Sequence, residues 1–137
     1  MKNAQVWTDG GSRGNPGHGA IGVYVRFDNG ETIHSSKYIG AKVTNNQAEY
    51  AALLHALTLL VEEEDVEKVL VYADSELMVK QMKGLYEVKD TKIRVLYDKI
   101  IKLLLNFKEF AIIHIPREQN KVADGLVNEA LDRKLKK

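Results

Sequence analysis

Asp9, Glu49, Asp74 and Asp124 are acids at positions where the surrounding sequence is apolar or turns. Asp9 follows the strand-like run Ala4 to Thr8, and Asp74 follows Val66 to Ala73. Glu49 precedes Leu53 and Ala56 at helical spacing, and Asp124 precedes Val127 and Leu131 in the same way, so both share a face with apolar residues and point inward. A charge in such a setting is costly without a partner. Four carboxylates gathered at one point would repel each other and raise their pKa values, and a hard divalent cation is the natural counter-charge. That pattern points to metal-dependent chemistry on an oxygen-rich substrate. Singly, each acid has an ordinary reading: Asp74 as a helix cap, Asp9 as turn chemistry, Glu49 and Asp124 as partners of Lys or Arg. Together, those readings require a coincidence at every position.

Composition narrows the donor set. The chain has no cysteine, which excludes disulfides, thiolate metal sites and thiol nucleophiles, and leaves oxygen or the four histidines to hold a metal. His18, His34 and His55 have no partner at ligand spacing, so magnesium or manganese is favoured over zinc. A length of 137 residues with 45% hydrophobic content suits one domain over 1–137, able to bury about two-thirds of the surface of its unfolded chain. Neither Met1 to Trp7 nor any other run has signal-peptide or membrane-spanning character, and a cytoplasmic protein, monomeric by default, is the expectation. The net charge of +1 is uninformative. Its distribution says more: Glu62, Glu63, Glu64, Asp65 and Glu67 form an acidic knot, whereas Lys80, Lys83, Lys89, Lys92, Arg94, Lys99, Lys102 and Lys108 crowd a later stretch. That stretch either attracts phosphate or is a set of solvated helix faces.

The elements that must position the acids follow from periodicity. Ala4 to Thr8 reads as a strand entering a Gly-rich turn, Gly10 to Gly19. Ala20 to Phe27 and Thr32 to Ile39 alternate as strands joined by the turn residues Asp28, Asn29 and Gly30. After Asn45 and Asn46 comes a helix whose Leu53, Ala56, Leu57 and Leu60 keep helical spacing. Val66 to Ala73 is a strand, Ser75 to Met82 and Ile93 to Leu105 are helices, and Phe110 to Ile115 is the last strand. Pro116 to Gln119 is a loop, and Asn120 caps a final helix that frays into Arg133, Lys134, Lys136 and Lys137. This order suits an α/β fold: a mixed five-stranded sheet with three antiparallel strands, then two parallel ones, and helices packed on both faces. In the Gly-rich turn, Gly10, Gly11, Gly14, Gly17 and Gly19 permit close approach, while Ser12 and Asn15 offer hydrogen bonds to phosphates or sugars. No Gly-Lys-Ser/Thr follows, so it is not a P-loop. Trp7, with apolar neighbours, reads as core rather than a base-stacking platform.

Four strings carry a resemblance: Thr8 to Gly17 (TDGGSRGNPG), Thr44 to Glu49 (TNNQAE), Ala73 to Ser75 (ADS) and Arg117 to Asp124 (REQNKVAD). In this order, spread over the whole chain, they resemble type 1 ribonuclease H. The resemblance implies an RNase H-like sheet and endonucleolytic cutting of the RNA strand of an RNA–DNA hybrid. Asp9, Glu49, Asp74 and Asp124 match the family's metal-binding acids. They imply hydrolysis with two Mg2+ ions, or Mn2+ in their place, about 4 Å apart and bridged by Asp9, leaving 5′-phosphate and 3′-hydroxyl ends. Gly10, Gly11, Ser12, Asn15, Asn45 and Asn46 match the nucleic-acid interface, with Lys42, Thr44 and Ser75 as phosphate contacts. Strand choice would rest on 2′-hydroxyl contacts.

Two departures stand out. Many members carry a mobile His in a Gly-rich loop before the last acid, and here Ile115 to Asn120 replaces it. His114 falls at that slot by ungapped counting, but inside an apolar strand, where it reads as a core or sheet-face residue. Arg117 lies on the loop and offers a permanent cation beside developing charge, although it cannot act as a general acid. Gly84 to Thr91 is short and lacks a basic, Trp-bearing protrusion, so substrate grip would fall to Tyr86, Lys89 and Lys92, if they are more than loop residues. The rival reading is a module of this fold that binds without cutting, or a nuclease for another duplex such as double-stranded RNA. All four acids are intact, which argues against an inactive relative.

Overall fold

The computed structural model describes residues 2–135, so the expected basic fringe at Lys136 and Lys137 lies outside the described residues, as does Met1. The elements in chain order are β1 (Lys2–Gly14), β2 (Gly17–Phe27), β3 (Thr32–Val43), α1 (Asn45–Glu62), β4 (Val66–Ala73), α2 (Glu76–Met82), α3 (Thr91–Leu104), β5 (Glu109–His114), a 3-10 turn (Arg117–Gln119) and α4 (Lys121–Leu135). They build one mixed sheet of order β3-β2-β1-β4-β5. β1, β2 and β3 pair antiparallel, and β4 and β5 are added parallel to β1 through helical crossovers.

The Gly-rich segment is not a loop. β1 continues through it to Gly14, because β2 pairs with it over its whole length, from Ala4↔Phe27 to Gly14↔Gly17, leaving only Asn15 and Pro16 as the turn. Asp9 therefore lies inside a strand. It is nonetheless the first residue of β1 beyond its pairing with β4, which stops at Thr8↔Ala73. Two of the glycines seat helices. A Cβ on Gly10 would stand 2.1 Å from the carbonyl oxygen of Ala48 in α1, and one on Gly22 would stand 2.2 Å from that of Ala123 in α4. These seats bring helix backbone into contact with strand backbone on opposite faces of the sheet.

The main core lies on the α1 face, where Val6, Val23, Val25 and Val71 meet Leu53, Leu57, Leu60 and, from α3, Ile100. All are fully buried, and each contributes about 1.5–3 kcal/mol of transfer free energy relative to exposure. A smaller cluster, Ala20, Val127, Ala130 and Leu131, holds α4 to the other face. α1 opens on a capping box: Thr44 Oγ1 accepts from Gln47 N at 3.1 Å, and Gln47 Oε1 accepts from Thr44 N at 2.9 Å. One residue past Glu49, the buried Tyr50 hydroxyl donates to Gln81 Oε1 at 2.6 Å and ties α1 to α2.

Trp7 departs from the expected core position. It is half-buried on the face away from α1, in a cross-strand row set by the register Tyr72↔Trp7↔Tyr24↔His34. Its ring stacks on Tyr72 at 5.0 Å and packs on Tyr24 at 5.3 Å. With Arg26 also 5.2 Å from its ring centroid, the indole is held by cross-strand neighbours within this sheet face. His114 is the exposed last residue of β5, a sheet-face rather than a core residue. No helix among the described residues is long and apolar enough to cross a membrane.

Candidate active site

β1 and β4 are adjacent parallel strands, and the carboxyl ends of such strands are where α/β sheets collect functional groups. Asp9 leaves the β4-paired part of β1, and Asp74 is the residue after β4 ends. Asp74 is not a helix cap: Ser75 caps α2, its hydroxyl accepting from Met78 N at 3.2 Å, so the Asp74 carboxylate is free to face the cleft. Glu49 arrives through the Gly10 seat, which lets α1 approach β1 closely enough for Gly10 N to donate to Glu49 Oε1 at 3.0 Å. Asp9, Glu49 and Asp74 each present a carboxylate oxygen, and these oxygens lie within 4.8 Å of one another. Asp124, in the first turn of α4, lines the same cleft of about 370 Å³ without joining that tight group, and Arg117 Nη2 stands 3.5 Å from its Oδ1.

Asp9 is 7% and Glu49 9% exposed. Burial, then the charge of Asp74, then Asp124 push the Asp9 carboxyl up to about 8. Burial, then Asp9 and Asp74, raise Glu49 well above the usual carboxylate range. A cluster of acids strained in this way is relieved by a cation. The cleft's lining offers oxygen donors and no imidazole, a set that fits a hard divalent ion such as Mg2+ or Mn2+ better than zinc. A larger depression, about 650 Å³, lies at the opposite end of the sheet, around Asn3, Lys68 and Glu109, with no comparable acid cluster.

The expected substrate contacts divide. Gly10, Gly11, Ser12 and Asn45 line the cleft beside the acids. Asn15 does not, but its Oδ1 accepts from Asn45 N at 3.1 Å, while Asn45 Oδ1 accepts from Ser12 N and Oγ at 3.0 and 3.1 Å, so these three form a clasp between the hairpin tip and α1. Thr44 and Ser75 are occupied as helix caps. Lys42 and Asn46 stand outside the cleft, Lys42 exposed near the end of β3. Pro116 to Gln119 is not a plain loop, since Arg117–Gln119 forms a 3-10 turn. Asn120 holds the N-cap position of α4, its backbone O accepting from Asp124 N at 3.0 Å, but its side chain turns inward instead of capping the helix. Its Nδ2 donates to Thr8 O at 2.8 Å and Asp74 Oδ2 at 3.0 Å. Sequence reasoning missed this residue, together with Arg13 and Asn128 of the cleft wall. For Asn120 the available signal was its helical spacing of four from Asp124.

Residues 7–130 match the family described as Reverse transcriptase-like. Over 130 residues, 93% of its length, the chain is 42% identical to ribonuclease HI of Halobacterium salinarum. The chain belongs to the type 1 ribonuclease H family. It is also 38% identical over 128 residues to the bifunctional protein Rv2228c of Mycobacterium tuberculosis. Among solved structures, LC11-RNase H1 in complex with an RNA/DNA hybrid superposes with a TM-score of 0.87 at 43% identity, covering 96% of this chain and 99% of that one. This family member spans 63% of the Halobacterium protein's length and 35% of the mycobacterial one's.

Proposed function

We propose that this chain is a divalent-metal-dependent endoribonuclease that hydrolyses the RNA strand of RNA–DNA hybrids, leaving 5′-phosphate and 3′-hydroxyl ends. The observation that carries the reading is the convergence of Asp9, Glu49 and Asp74 oxygens within 4.8 Å, where the β1–β4 ladder stops and α1 packs against β1. Support comes from the 42% identity to a ribonuclease HI and from the likeness to a structure that holds a hybrid. Asp9, Glu49, Asp74 and Asp124 would hold two Mg2+ ions, with Mn2+ as substitute. When bound, such ions supply Lewis acidity, activating water and offsetting the charge that develops on phosphoryl and leaving oxygens.

The chain's own groups do the rest. Asp9 and Glu49, buried and mutually repelled, keep a high affinity for positive charge at one point. Asn120 fixes the Asp74 carboxylate. Arg117, with a side chain 79% exposed, adds a permanent cation at the cleft wall that stabilises negative charge without donating a proton to solution. The Ser12–Asn15–Asn45 clasp presents polar groups for sugar and phosphate contacts, and 2′-hydroxyl recognition selects the RNA strand.

The decisive experiment incubates labelled hybrid, duplex RNA, duplex DNA and single-stranded RNA with Mg2+ or Mn2+, beside Asp9→Asn and Asp74→Asn. Hybrid cleavage that leaves 5′-phosphate ends and vanishes in both variants is the expected result. Cleavage surviving Asp9→Asn, or tight hybrid binding without cleavage, would overturn the proposal.

A further inference from the structure

The acid cleft extends beyond the acids. By strand alternation Asp9, Gly11 and Arg13 point to the α4 side of β1, and a Cβ on Gly11 would lie 3.6 Å from Val127 Cγ1 of α4. On α4, Asp124, Asn128 and Asp132 repeat every four residues along one stripe. The result is a groove between the outer half of β1 and α4, with the acids at its inner end and Arg13 at its outer end. Among the residues lining it, the cations are Arg13 and Arg117, facing four carboxylates.

Arg13 Nη2 meets Asp132 Oδ1 at 2.6 Å, with the two side chains 42% and 66% exposed. Among the described residues this is the one hydrogen bond of the Arg13 guanidinium, made through a single nitrogen, and it leaves the other edge of the fork without a partner. The hairpin does not depend on this pair for its position. β1 pairs with β2 as far as Gly14↔Gly17, and Asn45 clasps Ser12 and Asn15. Exposed ion pairs of this kind hold weakly, whereas a phosphate takes an arginine fork in two parallel hydrogen bonds.

We propose that Arg13 binds a backbone phosphate of the nucleic-acid substrate a few nucleotides from the cleavage point, with Asp132 as the resident anion that the phosphate displaces. The inference rests on the hydrolase reading above for the identity of the substrate. Four residues of strand from Asp9 to Arg13 span about 13 Å, against a rise of roughly 3.4 Å per nucleotide of duplex strand. Arg13 thus lies within reach of the same strand, outside the reacting step.

The test compares wild type, Arg13→Ala, Asp132→Asn and the double variant by fluorescence anisotropy on hybrid, duplex RNA and duplex DNA, without divalent metal and across a salt series. In Arg13→Ala, binding weakens roughly tenfold, and the slope of log K against log salt flattens by about one. In cleavage assays of the same variant KM rises while kcat stays near wild type. Asp132→Asn tightens binding, and the double variant behaves as Arg13→Ala. Wild-type affinity and slope in Arg13→Ala on every duplex, or no salt-dependent binding of any duplex, would overturn the assignment. Equal weakening by both single substitutions would overturn it too, identifying a latch between hairpin and helix. Failure of the hydrolase reading is scored separately, as loss of wild-type hybrid cleavage, and leaves the salt slope of Arg13→Ala to decide this one on whichever duplex is bound.

Discussion

Asn120 holds Asp74 and the end of the β1–β4 ladder with the same nitrogen: Nδ2 donates to Asp74 Oδ2 at 3.0 Å and to Thr8 O at 2.8 Å. Thr8 is the last residue of β1 paired with β4, so its carbonyl would otherwise be left beyond the end of that ladder in a buried place. Asn120, itself 1% exposed, joins the end of that ladder and the acid into one unit. Asn120→Ala is expected to lower folding stability by about 1–3 kcal/mol through the orphaned carbonyl. It should also weaken Mg2+ or Mn2+ binding by roughly 10–100-fold by freeing Asp74 to rotate. Thermal melting and calorimetric titration of the folded variant measure the two effects, and wild-type metal affinity would refute the positioning role.

The raised carboxyls make metal-free stability pH-dependent. Asp9 moves from 3.8 to about 8, so between those values the folded state binds more protons than the unfolded chain. Stability contributed by this group is complete below about pH 4 and is lost as pH rises through 8. Glu49 shifts in the same direction. Asp9→Asn removes the titration while keeping the shape. Without metal it is expected to be more stable than wild type at pH 8, by more than about 1 kcal/mol, and to converge with it near pH 4. Denaturant melts at the two pH values measure this, and Mg2+ should restore wild-type stability while leaving the variant little changed. A variant no more stable than wild type at pH 8 would contradict the account.

Gly10 and Gly22 carry the helix seats, and their substitution separates structure from chemistry. Gly10→Ala drives a methyl to 2.1 Å from Ala48 O, a backbone atom that moves only if α1 moves. The expected outcome is a loss of several kcal/mol, with Glu49 displaced from Gly10 N and metal binding weakened in whatever remains folded. Gly22→Ala meets Ala123 O at 2.2 Å and pushes on α4, whose first turn carries Asp124 but not Glu49. Circular dichroism melts and metal titration of both variants give the comparison. Wild-type stability in Gly10→Ala would show that the seat is not tight.

Much of this arrangement is legible in the sequence, because the elements that carry Glu49 and precede Asp74 have clear patterns. Leu53, Ala56, Leu57 and Leu60 give α1 and the inward side of Glu49, and the Val66 to Ala73 run gives β4 and the place of Asp74. The Gly-rich segment is illegible in one respect. Its glycines suggest a loop by local propensity, but pairing with β2 makes it a strand, and the absent side chains serve helix packing across the sheet. Asn120 misleads for a related reason, since Asn before a helix suggests a cap by local chemistry, while a buried carbonyl 112 residues away takes its amide. Trp7 follows Val6 in a strand-like run and so reads as core, but its packing partners are Tyr24 and Tyr72 from other strands. Long-range pairing, not periodicity, decides all three.

Arg117 supplies the last test, because its two conceivable roles have opposite signatures in metal affinity. Its guanidinium stands 3.5 Å from Asp124 Oδ1 and is largely in solvent, so its attraction for the acids is screened and its loss should destabilise the fold by less than about 1 kcal/mol. As a positive charge in the acid cleft it opposes cation binding, so Arg117→Ala is expected to bind Mg2+ as well as wild type or slightly better. As a cation beside the reacting phosphate it stabilises developing negative charge, so the same variant should lose roughly tenfold in single-turnover rate. That is less than a buried oxyanion donor contributes, because water shares the work. Arg117→Lys keeps the charge without the fork and should recover part of the rate. Weaker metal binding in Arg117→Ala would instead make the residue a positioner of Asp124, and wild-type turnover in that variant would remove it from the reaction altogether.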